Sequence, residues 1–185
     1  MNLLKITSSC SSIMSILLVP YSLQGQAKSS QGDEKSCREF VQSFYDWYLP
    51  HARTERASPA WDLAVKERGS AFSRELTQLL REDSQAQAKV TGDIVGLDFD
   101  PFLCSQDPAQ RYLAGKTTRQ GGACLVEIRR SGHVAGRPDV VAELTYGDDR
   151  WTFANFHYGK SAYSEDENLL ATLKTLQRDR QTHSK

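Results

Sequence analysis

The chain has 185 residues, 39% of them apolar and 25% charged, and Lys plus Arg and Asp plus Glu both number 23. A net charge of zero excludes a strongly basic nucleic-acid binder and an acidic solvating tail. With only 12 Gly and 6 Pro, collagen-like and low-complexity chains are excluded as well, which leaves an ordinary globular composition.

The first 27 residues read as a secretory signal peptide. Lys5 is their single charge, Ile13 to Val19 is a short apolar centre, and Gly25-Gln26-Ala27 is a small-residue cleavage site. The apolar run is far short of the roughly 20 residues that span a bilayer. Cys10 precedes that run, which argues against lipid attachment. Cleavage after Ala27 is expected, giving a soluble exported protein, periplasmic or extracellular, with no membrane association.

Residues 28–35 are polar and read as a flexible mature N-terminus. A single α+β domain is expected over 36–182. Ser36-Cys37-Arg38-Glu39 forms a capping box. The helix it opens carries Phe40, Val41, Phe44, Tyr45, Trp47 and Tyr48 on one side, over an arc of about 160°, and ends before Pro50. Ser58-Pro59 reads as an N-cap followed by Pro at the first helical position. A short helix through Trp61 and Val65 then runs to Gly69. Ala71 to Lys89 is a second strong helix, with Phe72, Leu76, Leu79 and Leu80 on its core face.

Strands follow. Arg111–Thr118 is a weak strand. Cys124–Arg130 and Asp139–Tyr146 alternate cleanly, and Trp151–Tyr158 returns after the turn Gly147-Asp148-Asp149-Arg150. Short connections make them antiparallel neighbours. A second capping box at Ser164-Glu165-Asp166-Glu167 opens a last helix with Leu169, Leu170, Leu173 and Leu176 on one side. The pattern predicts N-terminal helices packed on an antiparallel meander of about four strands, plus a C-terminal helix.

Cys37, Cys104 and Cys124 remain after the leader, and export permits a disulfide. Cys104 and Cys124, the closest pair in sequence, are expected to form it. Pairing of Cys37 with either of them is the alternative. Otherwise Cys37 is the odd thiol, at the first turn of a helix whose dipole lowers its pKa. His51, His133, His157 and His183 are scattered without metal-ligand spacing, so no metal and no cofactor is expected.

The order of Phe44-Tyr45-Asp46-Trp47-Tyr48, Asp98-Phe99-Asp100-Pro101-Phe102, Gln106-Asp107, Trp151-Thr152-Phe153 and His157-Tyr158-Gly159 resembles a bacterial exported family, domain of unknown function 3828. Its members resemble the nuclear transport factor 2-like (cystatin-like) superfamily. The resemblance covers about 36–177. It implies a conical, curved sheet with a cavity between sheet and helices, and it carries no functional residues.

In such a cone, Trp151, Phe153, Asn155 and His157 share one strand face by alternation, and with Tyr45 and Tyr48 they are the candidate ligand-pocket residues. His157 is a weak catalytic candidate as general acid or base. No carboxylate partners it from the sequence: Asp46 is on the wrong helix face and Glu143 alternates outward. The acidic group Asp93, Asp98, Asp100 and Asp107 reads as turn residues around Pro101, with a hard-cation site as the alternative. Nucleophile and phosphate-loop motifs fail, since Gly159-Lys160-Ser161-Ala162-Tyr163 lacks the second Gly and Gly121-Gly122 has no Lys after it. Arg129-Arg130 and Arg178–Arg180 are too short for nucleic-acid binding.

The residues therefore point to an exported, non-enzymatic binding module for a small molecule or an envelope protein. The alternatives are an inhibitor of a cell-envelope enzyme working through the outer sheet face, and a small isomerase, dehydratase or hydrolase working in the cavity.

Overall fold

The structure is a computed structural model that describes residues 32–55, 58–132, 136–159 and 168–183. The leader, the Ser164–Glu167 capping box and Lys160–Ser161 lie outside them. The element order is α1 (Glu34–Ala52), α2 (Ala60–Glu67), a 3-10 turn (Gly69–Ala71), α3 (Arg74–Gln87), β1 (Tyr112–Gln120), β2 (Ala123–Arg130), β3 (Val140–Gly147), β4 (Arg150–Tyr158) and α4 (Leu169–His183). The four strands form one antiparallel meander in the order β1-β2-β3-β4. This is the α+β architecture expected, with helices before the sheet and one after it.

Helix boundaries differ from the sequence reading for local reasons. Asp33, not Ser36, caps α1, its carboxylate accepting from the Ser36 N–H at 2.6 Å. Ser36 is thereby released from capping, and its hydroxyl accepts from the Trp151 indole N–H at 3.1 Å, tying the first turn of α1 to β4. Pro50 does not stop α1, which continues to Ala52. In the last turn a proline removes a single backbone bond, and buried Leu49 holds that turn on the core. Pro59 is itself the N-cap of α2, without a side-chain bond. Ser73 caps α3 by accepting from the Leu76 N–H, so Phe72 lies before the helix, in an extended bridge to Phe153. Asn168 caps α4, accepting from the Ala171 N–H at 2.9 Å.

Two hairpins are closed by two-residue turns with both central residues at positive φ: Gly121-Gly122 (57° and 87°) and Asp148-Asp149 (50° and 56°). Such turns match the twist of the strands they join. The outer edge of β1 is not bare. The Gln42 side chain of α1 accepts from the Ala114 N–H at 2.8 Å and donates to the Tyr112 carbonyl at 3.3 Å, standing in for a neighbouring strand.

The core lies between the helices and the inner sheet face, where Cys124, Val126, Ile128, Val140, Ala142 and Leu144 are fully buried. Phe44 is its hub. Its ring sits 4.9 Å from Phe153, 5.5 Å from Phe102 and 5.6 Å from Phe72, in edge-on contacts that suit aromatic quadrupoles.

The disulfide joins Cys37 to Cys124, corrected from the expected Cys104–Cys124 pair. Cys124 does point inward, but the first turn of α1 crosses directly over it, whereas Cys104 sits in the turn after Pro101 and remains half-buried. Nearness in sequence was the wrong guide, because the helix-on-sheet packing sets nearness in space. The bond closes a loop with a sequence separation of 87 residues. In the chain-entropy description a loop of that length stabilises the fold by about 4.5 kcal/mol. Replacing both Cys37 and Cys124 with Ala is expected to lower the unfolding free energy by that order in urea denaturation. Non-reducing peptide mapping should recover the 37–124 cross-link and leave Cys104 in a separate peptide.

Candidate functional site

Among the described residues, the grooves at α2, α3 and the end of α1 are not lined by the expected pocket residues together. Tyr45, Tyr48, Trp151 and Phe153 are buried core residues: Tyr45, Tyr48 and Phe153 pack on Phe44, Tyr48 also on Phe102, and Trp151 on Tyr146. Their polar atoms are satisfied within the protein. The Tyr45 hydroxyl donates to the Phe102 carbonyl at 2.6 Å, the Tyr48 hydroxyl donates to the Asp100 carboxylate, and the Trp151 indole donates to Ser36. The space expected to hold a ligand is filled by rings.

His157 and Asn155 are corrected more sharply. Alternation from Trp151 places them inward, but β4 carries one extra residue. Leu144 pairs with Phe153 and Glu143 with Asn155, leaving Ala154 unpaired as a bulge. Every side chain after it changes face. Phe156 and Tyr158 therefore point into the core, and His157 points outward. There it meets Glu143 on the neighbouring strand, Nε2 to Oε2 at 2.7 Å, with the two side chains 39% and 30% exposed. The partner carboxylate that the sequence could not assign to His157 exists, on the outer face rather than inside a cavity. Asn155 is buried beneath the start of α4. Its side-chain oxygen accepts from the Phe156 and Leu170 N–H groups, and its amide donates to Asn168, so it anchors the helix to the strand.

The acidic residues do not converge. Among the described residues no group of three or more His, Cys, Asp and Glu is placed to hold a metal ion. Asp100 has the turn role: one carboxylate oxygen accepts from the Phe102 and Leu103 N–H groups at 3.0 and 3.1 Å. Its other oxygen accepts from Tyr48. Burial pushes the Asp100 carboxyl up from its usual range to about 6, against the pull of those three hydrogen bonds. Burial and the neighbouring carboxylate push the Tyr48 hydroxyl well above its usual range.

Asp100 also floors an open groove of about 430 Å³ between the start of α2 and the 94–108 segment. Trp61, Leu97 and Phe99 supply apolar wall, and Asp98 is the other charged residue lining it. Ile94, on the rim, is 70% exposed. The groove is held open from behind. Buried Asp83 accepts from Arg180 at 2.7 Å and from the Leu97 N–H at 2.9 Å, and Arg180 also donates to the Val95 carbonyl. Gly96 is required at this crossing, since a Cβ there would sit 2.6 Å from an Asp83 oxygen. Sequence reading assigned Asp98 and Asp100 to a turn but missed the groove, because Trp61 and Ile94 lie on separate segments brought together by α3 and α4.

The fold defines a class: an open four-stranded antiparallel meander with four helices and a disulfide that joins α1 to β2. One solved chain that shares it, and a second that matches it less well, come from structures of the type VI effector-immunity complex Tae3-Tai3 of Ralstonia pickettii. The first, from the native complex, matches at a TM-score of 0.50 and 19% identity, over 70% of this chain and 98% of that one. The second, from the selenomethionine form, matches at 0.48 and 19%, over 70% and 100%. At that identity the likeness establishes the fold. No protein-family model matches the chain. No curated protein matches it in sequence.

Two outcomes are expected. His157→Ala should change the unfolding free energy by less than about 1 kcal/mol, as for an exposed pair, whereas Trp151→Ala should cost about 3–5 kcal/mol; equal losses in urea denaturation would contradict the outward placement of His157. The second concerns pH. Folding raises the Asp100 pKa, so the native state holds this proton more tightly than the unfolded chain. Its contribution is fully present below the ordinary value of 3.8 and is lost as pH rises through about 6. Stability should fall over that window by about 3 kcal/mol. The Asp100→Asn variant should lack that slope when denaturation is followed across the same range.

Proposed function

We propose that the chain is an exported, non-enzymatic protein-interaction module of the inhibitor type. It holds a protein of the cell envelope through the groove beside Trp61. The observation that carries this reading is the groove's composition: an apolar wall, an exposed Ile94 on the rim, and Asp98 and Asp100 as the charged lining residues among those described. Such a surface takes a Lys or Arg side chain with an apolar flank, the aliphatic stem lying on Trp61 and Phe99 and the charged head reaching the carboxylates. The ring-filled interior supports a surface mode of binding over a small-molecule cavity.

Two further points support the reading. A chain from a complex that pairs an effector with an immunity protein has the same fold. The Cys37–Cys124 disulfide suits an oxidising compartment, in keeping with the leader at residues 1–27. Among the described residues no helix is long and apolar enough to cross a membrane. Kinship with domain of unknown function 3828 and its nuclear transport factor 2-like relatives belongs to the same proposal, resting on the Phe44–Tyr48 and Asp98–Phe102 motifs.

The test is site-specific photo-cross-linking from position 106, on the groove lining, in the envelope of the cells that make the protein. One discrete adduct is expected, and the purified pair should bind with the captured protein's activity lowered. Ile94→Asp and Asp98→Lys change two exposed positions, and each should weaken that binding roughly tenfold, the effect of a lost charge-assisted or apolar contact. Adducts that survive both substitutions, or a partner whose activity is unaffected, would overturn the reading.

A further inference from the structure

On the other side of α3 lies a second groove of opposite charge. It has a volume of about 650 Å³ and is lined by one face of α3 together with the 3-10 turn and the first residue of β4. Three arginines reach it from two parts of the chain: Arg74 at the first position of α3, Arg81 two turns further along, and Arg150 at the start of β4. All three are exposed.

Their charge is not neutralised by the fold. Among the described residues none of the three is within 4.0 Å of a carboxylate. The acids nearby are engaged elsewhere or stand apart. Both oxygens of Glu82, the one acidic residue lining the groove, accept amide hydrogen bonds, from Gln78 and from Gln177. Glu75 pairs with Lys174. Asp148 and Asp149 occupy the adjacent hairpin turn without pairing to Arg150. Thr77, also on the lining, has a buried hydroxyl with no hydrogen-bond partner among the described residues. The amino end of α3 adds the positive end of a helix dipole close to Arg74.

We propose that this groove binds a phosphate group, with Arg74, Arg81 and Arg150 as its ligands. Three guanidiniums against one hydrogen-bonded carboxylate leave a local charge of about +2, which matches a phosphate monoester of roughly −1.5 to −2. Guanidinium forks suit its tetrahedral oxygens in paired hydrogen bonds. The Arg81 Nη2 lies beside Gly69 on the groove wall, in ordinary contact distance. The site is separate from the acidic groove, so its test is independent of the reading proposed above.

The experiment is calorimetric titration of the full exported chain, at low ionic strength, with inorganic phosphate in one arm. Vesicles containing phosphatidic acid, whose headgroup is a phosphate monoester, against phosphatidylcholine vesicles, form the second arm. Saturable binding in either arm is expected, and the arm that responds identifies a free phosphate or a lipid headgroup as the source. Arg81→Gln should weaken it roughly tenfold and the triple Arg74→Gln, Arg81→Gln, Arg150→Gln variant should abolish it, with the thermal midpoint unchanged. Arg81→Lys, which keeps the charge and loses the fork, should retain part of the affinity and guards against a folding artefact. Absence of saturation in both arms, binding that survives the triple variant, or binding of a poly-glutamate peptide with no response to phosphate would each overturn the proposal.

Discussion

One extra residue in β4 decides what this molecule presents to its surroundings. Ala154 has no partner on β3, so the strand changes face between Phe153 and Phe156. Without the bulge, strict alternation would send Asn155 and His157 into the space between sheet and helices and turn Phe156 and Tyr158 to solvent. With it, Phe153 and Phe156 both lie inward, 5.1 Å apart, and both reach the aromatic cluster, Phe153 at Phe44 and Phe156 at Phe102. The driving force is plain: burying two large rings outweighs one irregular rung of backbone pairing. The same step moves the imidazole to the outer face, beside Glu143.

A core filled this way has few options for its polar atoms. Tyr45, Tyr48, Trp151 and Tyr158 each bring one hydroxyl or indole N–H into the interior, and each finds a protein partner. Three of those partners lie in the short stretch Asp100–Phe102. That segment has no regular secondary structure, yet its bonds to the core are many. Its Asp100 accepts from one tyrosine and two backbone amides, and the Pro101 and Phe102 carbonyls accept from two more tyrosines. The motif Asp98–Phe102 is therefore explained as a plug that three buried tyrosine hydroxyls hold against the core. Because Asp100 stands at the margin of the core, its carboxylate both holds the plug and borders the groove beside Trp61.

The charge arrangement follows from that packing. α3 presents a buried face of Leu76, Leu79, Leu80 and Asp83 to the core, and Asp83 draws in Arg180 and the 95–97 backbone. What remains of α3 faces outward with Arg74 and Arg81, next to Arg150. A chain of zero net charge thus carries an acidic groove on one side of α3 and a basic one on the other. Net composition describes solubility; it says nothing about such local separation.

The sequence by itself determined the element order, the antiparallel meander and the inward faces of α1, α3, β2 and β3, because each is written in local periodicity over many residues. Phe44, Leu76, Val126 and Leu144 were legible as core for that reason, and Asp100 as a turn residue from its Pro101 neighbour. Caps were less legible: Asp33 and Ser36 are both good capping residues, and the choice fell to Trp151, which claims the Ser36 hydroxyl from 115 positions away. Only the tertiary structure could decide the disulfide, the face of His157 and the grooves. Cys37 meets Cys124 because α1 packs across β2. His157 meets Glu143 because a single unpaired residue inverts a strand. Trp61 meets Asp98 and Ile94 because two helices hold a loop in place. None of these has a period, so each depends on contacts between distant segments that local pattern does not encode.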